Sequence, residues 1–150
     1  MNDKILDEEY VKNHGVDSDN GLGAQPPYGD YLTTSEDGRD LFNGLAYEMF
    51  ENGRIANYSW YKDGVEDGQF VLFYPDGKVK TIMNKKRGVV HGKMTKYFPD
   101  GKLEEEGEYE LGVALNYTCY DENGKVVDEK MQPSASDLEY IKKLKEALEK

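Results

Sequence analysis

The chain has 150 residues and a formal net charge of −11, with 30 acidic against 19 basic side chains. That balance excludes partners held by neutralising phosphates, so neither nucleic acid nor anionic lipid is expected. Only 37% of residues are apolar, yet 12 Tyr and 5 Phe are present, a composition suited to broad β-sheet with partly wet faces.

One domain over 1–150 is expected. Its first part, 1–28, reads as an acidic N-terminal segment. Residues 1–41 hold ten acids and three bases, a net of −7, and offer a solvated tail or a surface for a basic partner. "KILDEEYV" reads as a first strand or short helix, and "GVDSDNGLGAQPPYG" as loop. "DSDNG" at Asp17 hints at a calcium loop, but Gly21 and Tyr28 stand where oxygen ligands are required, so the loop reading prevails. Nor does "GLG" at Gly21 sit in the strand-to-helix context of a dinucleotide site.

From residue 29 to 131 the chain repeats itself. Turn glycines recur at Gly53, Gly77, Gly101 and Gly124, spaced 24, 24 and 23 residues apart. A second glycine follows eleven residues after each of the first three, at Gly64, Gly88 and Gly112. Gly68 and Gly92 follow four residues later, with Asn116 in the last copy. Stepping back by one period reaches Gly44 and Gly29, so a weak leading copy is expected. Each copy reads as strand, tight turn and strand, because Asn-Gly and Asp-Gly between apolar runs signal a hairpin whose central residues can need positive φ. Met49, Phe73, Tyr97 and Tyr120 precede these turns; Ile55, Val79, Leu103 and Val126 follow them. The two sets should face one another and share a buried side. A second-arm aromatic recurs at Tyr61 and Tyr109, with Lys85 in the middle copy. The expected fold is mainly β: an elongated, twisted antiparallel meander of stacked hairpins, about Gly44 to Val127.

Pro133 breaks the chain before "SASDLEYIKKLKEALEK". Leu138, Ile141, Leu144 and Leu148 form an amphipathic stripe, and Ser134 or Ser136 offers an N-cap. An α-helix over 134–150 should cap the last hairpin, or serve a partner.

The pattern G-x-x-x-x-[YF]-[YF]-x-[ND]-G-[KR]-[VIL]…Y-x-x-G-x-x-x-G, seen best in "GQFVLFYPDGKVK" and "GKMTKYFPDGKLEEEGEYELG", resembles the MORN repeat variant. A short acidic chain built of such copies resembles bacterial antitoxin or immunity proteins of this repeat. The resemblance implies twisted hairpin sheets and a partner toxin bound and neutralised. A structural scaffold, organising other proteins or a membrane edge, is the alternative.

No catalytic constellation is visible. His14 and His91 stand in no ligand spacing, and His91 reads as a surface residue beside Gly92. Cys119, the single cysteine, has no base supplied by motif and cannot form an intrachain disulfide, which points to a reducing, cytoplasmic setting. No stretch approaches the ~20 apolar residues of a membrane-spanning helix, and the N-terminus lacks a signal core, so the triplets at Asn57 and Asn116 have no glycosylation context. No cofactor, metal or enzymatic activity is expected. The candidate contacts with a cognate toxin, basic if it is a nuclease, are Phe50, Tyr58, Trp60 and Tyr61, with the acidic run Glu104, Glu105 and Glu106.

Overall fold

The computed structural model describes residues 4–21 and 40–149. The leading copy around Gly29 and the far end of "GVDSDNGLGAQPPYG" lie outside the described residues. Nine strands form one sheet in sequence order: β1 (Val16–Asp17), β2 (Gly44–Met49), β3 (Ile55–Lys62), β4 (Val65–Phe73), β5 (Val79–Lys86), β6 (Val89–Tyr97), β7 (Leu103–Glu110), β8 (Val113–Tyr120) and β9 (Val126–Lys130). From β2 to β9 every neighbour is antiparallel, as a meander of hairpins requires; β1 alone runs parallel to β2. The matched apolar positions pair as their spacing implies: Met49 with Ile55, Phe73 with Val79, Tyr97 with Leu103, Tyr120 with Val126.

The two glycine columns build two different rims. At the Pro-Asp-Gly rim only glycine has positive φ (Gly77 and Gly101, both 92°), and its N–H bonds the carbonyl three residues back. Pro75 and Asp76 keep ordinary backbone, and the Asp76 carboxylate accepts the Lys78 N–H at 3.0 Å. A bulge follows each of these turns, where the ladder shifts register. The opposite rim carries two-residue turns with positive φ at both positions: Asp63-Gly64, Arg87-Gly88 and Leu111-Gly112. Those are the mirror-image turns whose twist matches the strands. The double positive-φ reading therefore belongs to the second glycine column, not to the Pro-Asp-Gly turns.

Each of these second-rim turns is latched to the preceding repeat by one side chain. Asn43 accepts the Asp63 N–H at 2.9 Å, Asp67 the Arg87 N–H at 3.3 Å, and His91 the Leu111 N–H at 3.1 Å through Nδ1. His91 is thus half-buried and structural, which corrects its reading as a surface loop residue; the signal was its 24-residue phase with Asn43 and Asp67. His91→Ala should cost about 1 kcal/mol of stability by orphaning a turn donor. His91→Asn, restoring an acceptor, should recover most of that loss in urea melts.

Alternation sends successive residues to opposite faces. On one face lies the core of Leu45, Ile55, Tyr58, Val71 and Val11. Val11 belongs to α1 (Glu8–His14), so "KILDEEYV" resolves as a helix preceded by an apolar Ile5-Leu6 pair. Asp7 caps it, its carboxylate accepting the Tyr10 N–H at 2.7 Å. A seven-residue helix is not stable alone, so tertiary contacts hold it. The Tyr58 hydroxyl accepts the Leu6 N–H at 3.0 Å, Gln69 Nε2 donates to the Lys4 carbonyl at 3.1 Å, and Lys12 donates to the Gly53 carbonyl at 2.8 Å. Where the sequence suggested only loop, Val16–Asp17 is a strand and Ser18–Gly21 forms a short helix, α2. Ser18 Oγ donates to the Tyr47 carbonyl at 3.1 Å, tying α2 to the edge of the sheet.

The second face carries a smaller cluster of Phe42 and Ala46, with Tyr61 packed on it. Lys85, standing where neighbouring copies have Tyr61 and Tyr109, lies 4.3 Å from the Phe70 ring centroid and pairs with Glu66 at 3.1 Å. A lysine stem over an aromatic ring replaces a tyrosine with little loss of apolar cover.

At the other end, α3 (Ala135–Leu148) starts at Ser134 with a complete capping box and packs on β8. Of the predicted stripe only Ile141 is buried; Leu138 remains 54% exposed and Leu148 45%. The helix thus leans on the last hairpin through one side chain and two ion pairs, Lys130–Asp137 at 2.6 Å and Lys145–Glu110. The Lys130 hydrogen bond first, then the Ser134 N–H and hydroxyl, hold the Asp137 carboxyl down from 3.8 to about 2. A depressed carboxyl stabilises above its ordinary pKa and loses that contribution as pH falls through the folded one. The α3 attachment should therefore weaken between pH 4 and 2. Helical circular dichroism followed across that window in wild type and Lys130→Met checks this: the step should be smaller in the variant, which keeps only the Ser134 contacts to Asp137.

Candidate functional site

One row of directly paired residues crosses most of the sheet: Tyr47, Tyr58, Val71, Ile82, Thr95, Glu106, Thr118 and Glu129. Its character changes once. Through Ile82 the row is aromatic or apolar and belongs to the core beneath Ile5, Leu6 and Val11. From Thr95 onward hydroxyl and acidic side chains alternate. A neighbouring row on the same face runs Lys93, Glu108 and Asn116. The sheet is therefore coated near the N-terminus and presents an open polar shelf over β6–β9.

The shelf is shallow. Lys93, Glu106, Glu108, Asn116 and Thr118 line a depression of about 320 Å³. Beside it, Ile82, Lys93, Thr95 and Tyr97 line one of about 210 Å³. Glu106 Oε1 accepts the Tyr120 hydroxyl at 3.2 Å, which raises the Tyr120 hydroxyl pKa after the larger effect of desolvation. A separate apolar cleft of about 290 Å³ lies between residues 5–11 and the Pro-Asp-Gly rim, walled by Leu6, Val11, Phe73 and Val79.

The predicted contact residues fall in different places. Tyr58 is fully buried and is a core residue, its hydroxyl donating to Gln69 Oε1; it cannot touch a partner. Its burial comes from residues 5–11, which sequence spacing does not connect to it. Trp60 is half-buried against the same core, on the side opposite Tyr61. The absence of a side chain at Gly68 makes room for it: a Cβ there would meet the Trp60 Cβ at 3.2 Å. Tyr61 packs edge-on to Phe42 with centroids 5.8 Å apart, and burial, then Glu66 and Glu48, push its hydroxyl up to about 12. Phe50 is half-buried at a turn, its N–H bonding the Arg54 carbonyl at 2.8 Å.

The acidic run on β7 divides between faces. Glu106 joins the shelf. Glu105 points the other way and accepts from Cys119 Sγ at 3.4 Å. Glu104 sits close enough to Tyr74 to raise its hydroxyl pKa, second to desolvation. The aromatic group on β3 and the glutamates on β7 stand four strands apart, about 19 Å, and form no joint site. Shelf residues that residue-by-residue reading missed are Lys93, Glu108 and Asn116, separated by about 24 residues or less and aligned only by register.

The side chains weighed for chemistry have structural partners. His14 stacks on Tyr10 at 4.1 Å between centroids. Burial, then the Glu105 hydrogen bond and charge, push the Cys119 thiol up to about 11, the reverse of an activated nucleophile. Among the described residues no three His, Cys, Asp or Glu side chains are grouped to hold a metal ion, and no helix is long and apolar enough to cross a membrane.

Comparison with known proteins gives one family. The family model for the MORN repeat variant matches residues 66–84 and 90–111. Each match spans one Pro-Asp-Gly hairpin, β4 with β5 and β6 with β7. No curated protein matches. A solved structure of TarM aligns with 91% of this chain at 15% identity and a TM-score of 0.33; the chain spans 29% of that structure's length. The two central hairpins of the meander are similar to the MORN repeat variant, and the match extends over those two hairpins.

Proposed function

We propose that this protein is a non-enzymatic binding module for a basic protein partner, and that it acts as an immunity or antitoxin protein occluding a cognate toxin. The observation that carries the reading is the change of character along the Tyr47-to-Glu129 row. Acidic and hydroxyl side chains are displayed on rigid strands where the α1 coat ends, with Glu106, Glu108 and Glu129 turned to one side. A preformed acidic face on a chain of net charge −11 accelerates encounter with a basic surface. It also repels anionic lipid, which weighs against a membrane scaffold. Half-buried Tyr97 and Tyr120 flank the shelf as aromatic anchors. Cytoplasmic residence and a reduced Cys119 belong to the same proposal.

The test is genetic and then physical. Expressing the adjoining open reading frame alone should arrest growth, and co-expressing this protein should restore it through a complex that survives gel filtration. Absence of toxicity, or toxicity without rescue, rejects the immunity reading.

A further inference from the structure

We propose that the outer edge of β9 receives an extended basic segment of the partner protein as an added strand, an inference that rests on the partner-binding reading above. The repeat itself makes the argument. In β3, β5 and β7 the outward edge begins pairing at Asn57, Thr81 and Glu105, one period apart, against Leu72, Lys96 and Cys119. The same position in the last copy is Asp128, followed by Glu129 and Lys130. These three residues pair inward with β8, and among the described residues no strand pairs with their outer side.

This edge differs from the opposite one. β1 is two residues long and runs directly into α2, so little backbone is left to pair. β9 contains no proline, Pro133 comes only after the strand ends, and among the described residues α3 packs chiefly on β8. Lysine often guards an open edge, but the Lys130 ammonium is folded back onto Asp137 and the Ala114 carbonyl, at 2.6 and 2.8 Å. What the edge presents is two exposed carboxylates between apolar ends, with Val127 61% and Met131 77% exposed. Main-chain hydrogen bonds would supply the affinity and Asp128 and Glu129 the selection for Lys or Arg opposite them.

A probe exists within the chain. The peptide VVHGKMTKY, residues 89–97, is the arm that seats on the equivalent edge of β5, with Lys96 opposite Thr81. On β9 in the same register Lys96 would face Asp128. Added to the full-length protein, it should slow amide exchange within residues 128–130. The same peptide with both lysines replaced by glutamate should not, nor should the native peptide act on Asp128→Lys with Glu129→Lys. Both positions are exposed, so that variant should melt like wild type. No slowing, slowing confined to other strands, or slowing indifferent to either charge reversal overturns the inference. The adjoining gene product separates the two proposals. If it binds without protecting residues 128–130, the edge is refuted and the immunity reading stands. If it does not bind while the peptide protects them, the edge stands and the immunity reading falls.

Discussion

Tyr58→Ala is expected to lower stability by about 3–5 kcal/mol, the range for emptying a large aromatic site in a core. Tyr58 has no solvent exposure and joins two parts of the chain 52 residues apart through its contact with Leu6. Losing the ring leaves Val11 and Ile55 facing a void, and losing the hydroxyl strands the Leu6 N–H and Gln69. Tyr58→Phe separates these effects. It keeps the ring, removes the two hydrogen bonds and should cost about 1–3 kcal/mol. Chemical denaturation with two probes gives the finer outcome. Exchange protection of residues 8–14 should fail before that of β6–β7 in Tyr58→Phe, because α1 has no stability of its own. Equal losses across the sheet would mean that Tyr58 does not act through the N-terminal segment.

Reversing charge on the shelf is the second large effect. Glu106→Lys with Glu108→Lys changes the net charge by +4 and should slow association with a basic partner at least about tenfold at low salt. The difference should shrink as salt rises, since the Debye length is about 8 Å at physiological ionic strength. Both residues sit on one face of β7, and Glu108 is exposed, so folding should change little beyond loss of the Tyr120–Glu106 hydrogen bond. Stopped-flow rates across a salt series check it. An unchanged association rate would remove the shelf from the interface. As a control, Tyr61, packed on Phe42 on the other face, should leave the rate unchanged when replaced by Phe.

Much of the architecture was legible before any coordinates, because a hairpin repeat writes its geometry in local chemistry. Glycine phase located both rims, and the residues flanking Gly53, Gly77, Gly101 and Gly124 identified the strand partners that do pair. Turn type was less legible. Asp-Gly occurs in both rims, and loop length, five residues from Tyr74 to Lys78 against two at Arg87-Gly88, decides which backbone forms. The amphipathic stripe of α3 was also visible, but only Ile141 found a buried place, since a stripe states what a helix can cover and not what stands beneath it.

The amino-acid sequence by itself determined the period, the strand register and the acidic charge, all of which depend on neighbours within one repeat. Only the tertiary structure decided which side of each strand is contact surface. Alternation assigns Tyr58 and Glu106 to the same face and gives no reason to distinguish them. The difference arises because Ile5, Leu6 and Val11 lie over β2–β5 and reach no farther. Burial is set by what packs on top, and here that came from a segment about 50 residues away with no sequence likeness to the repeat.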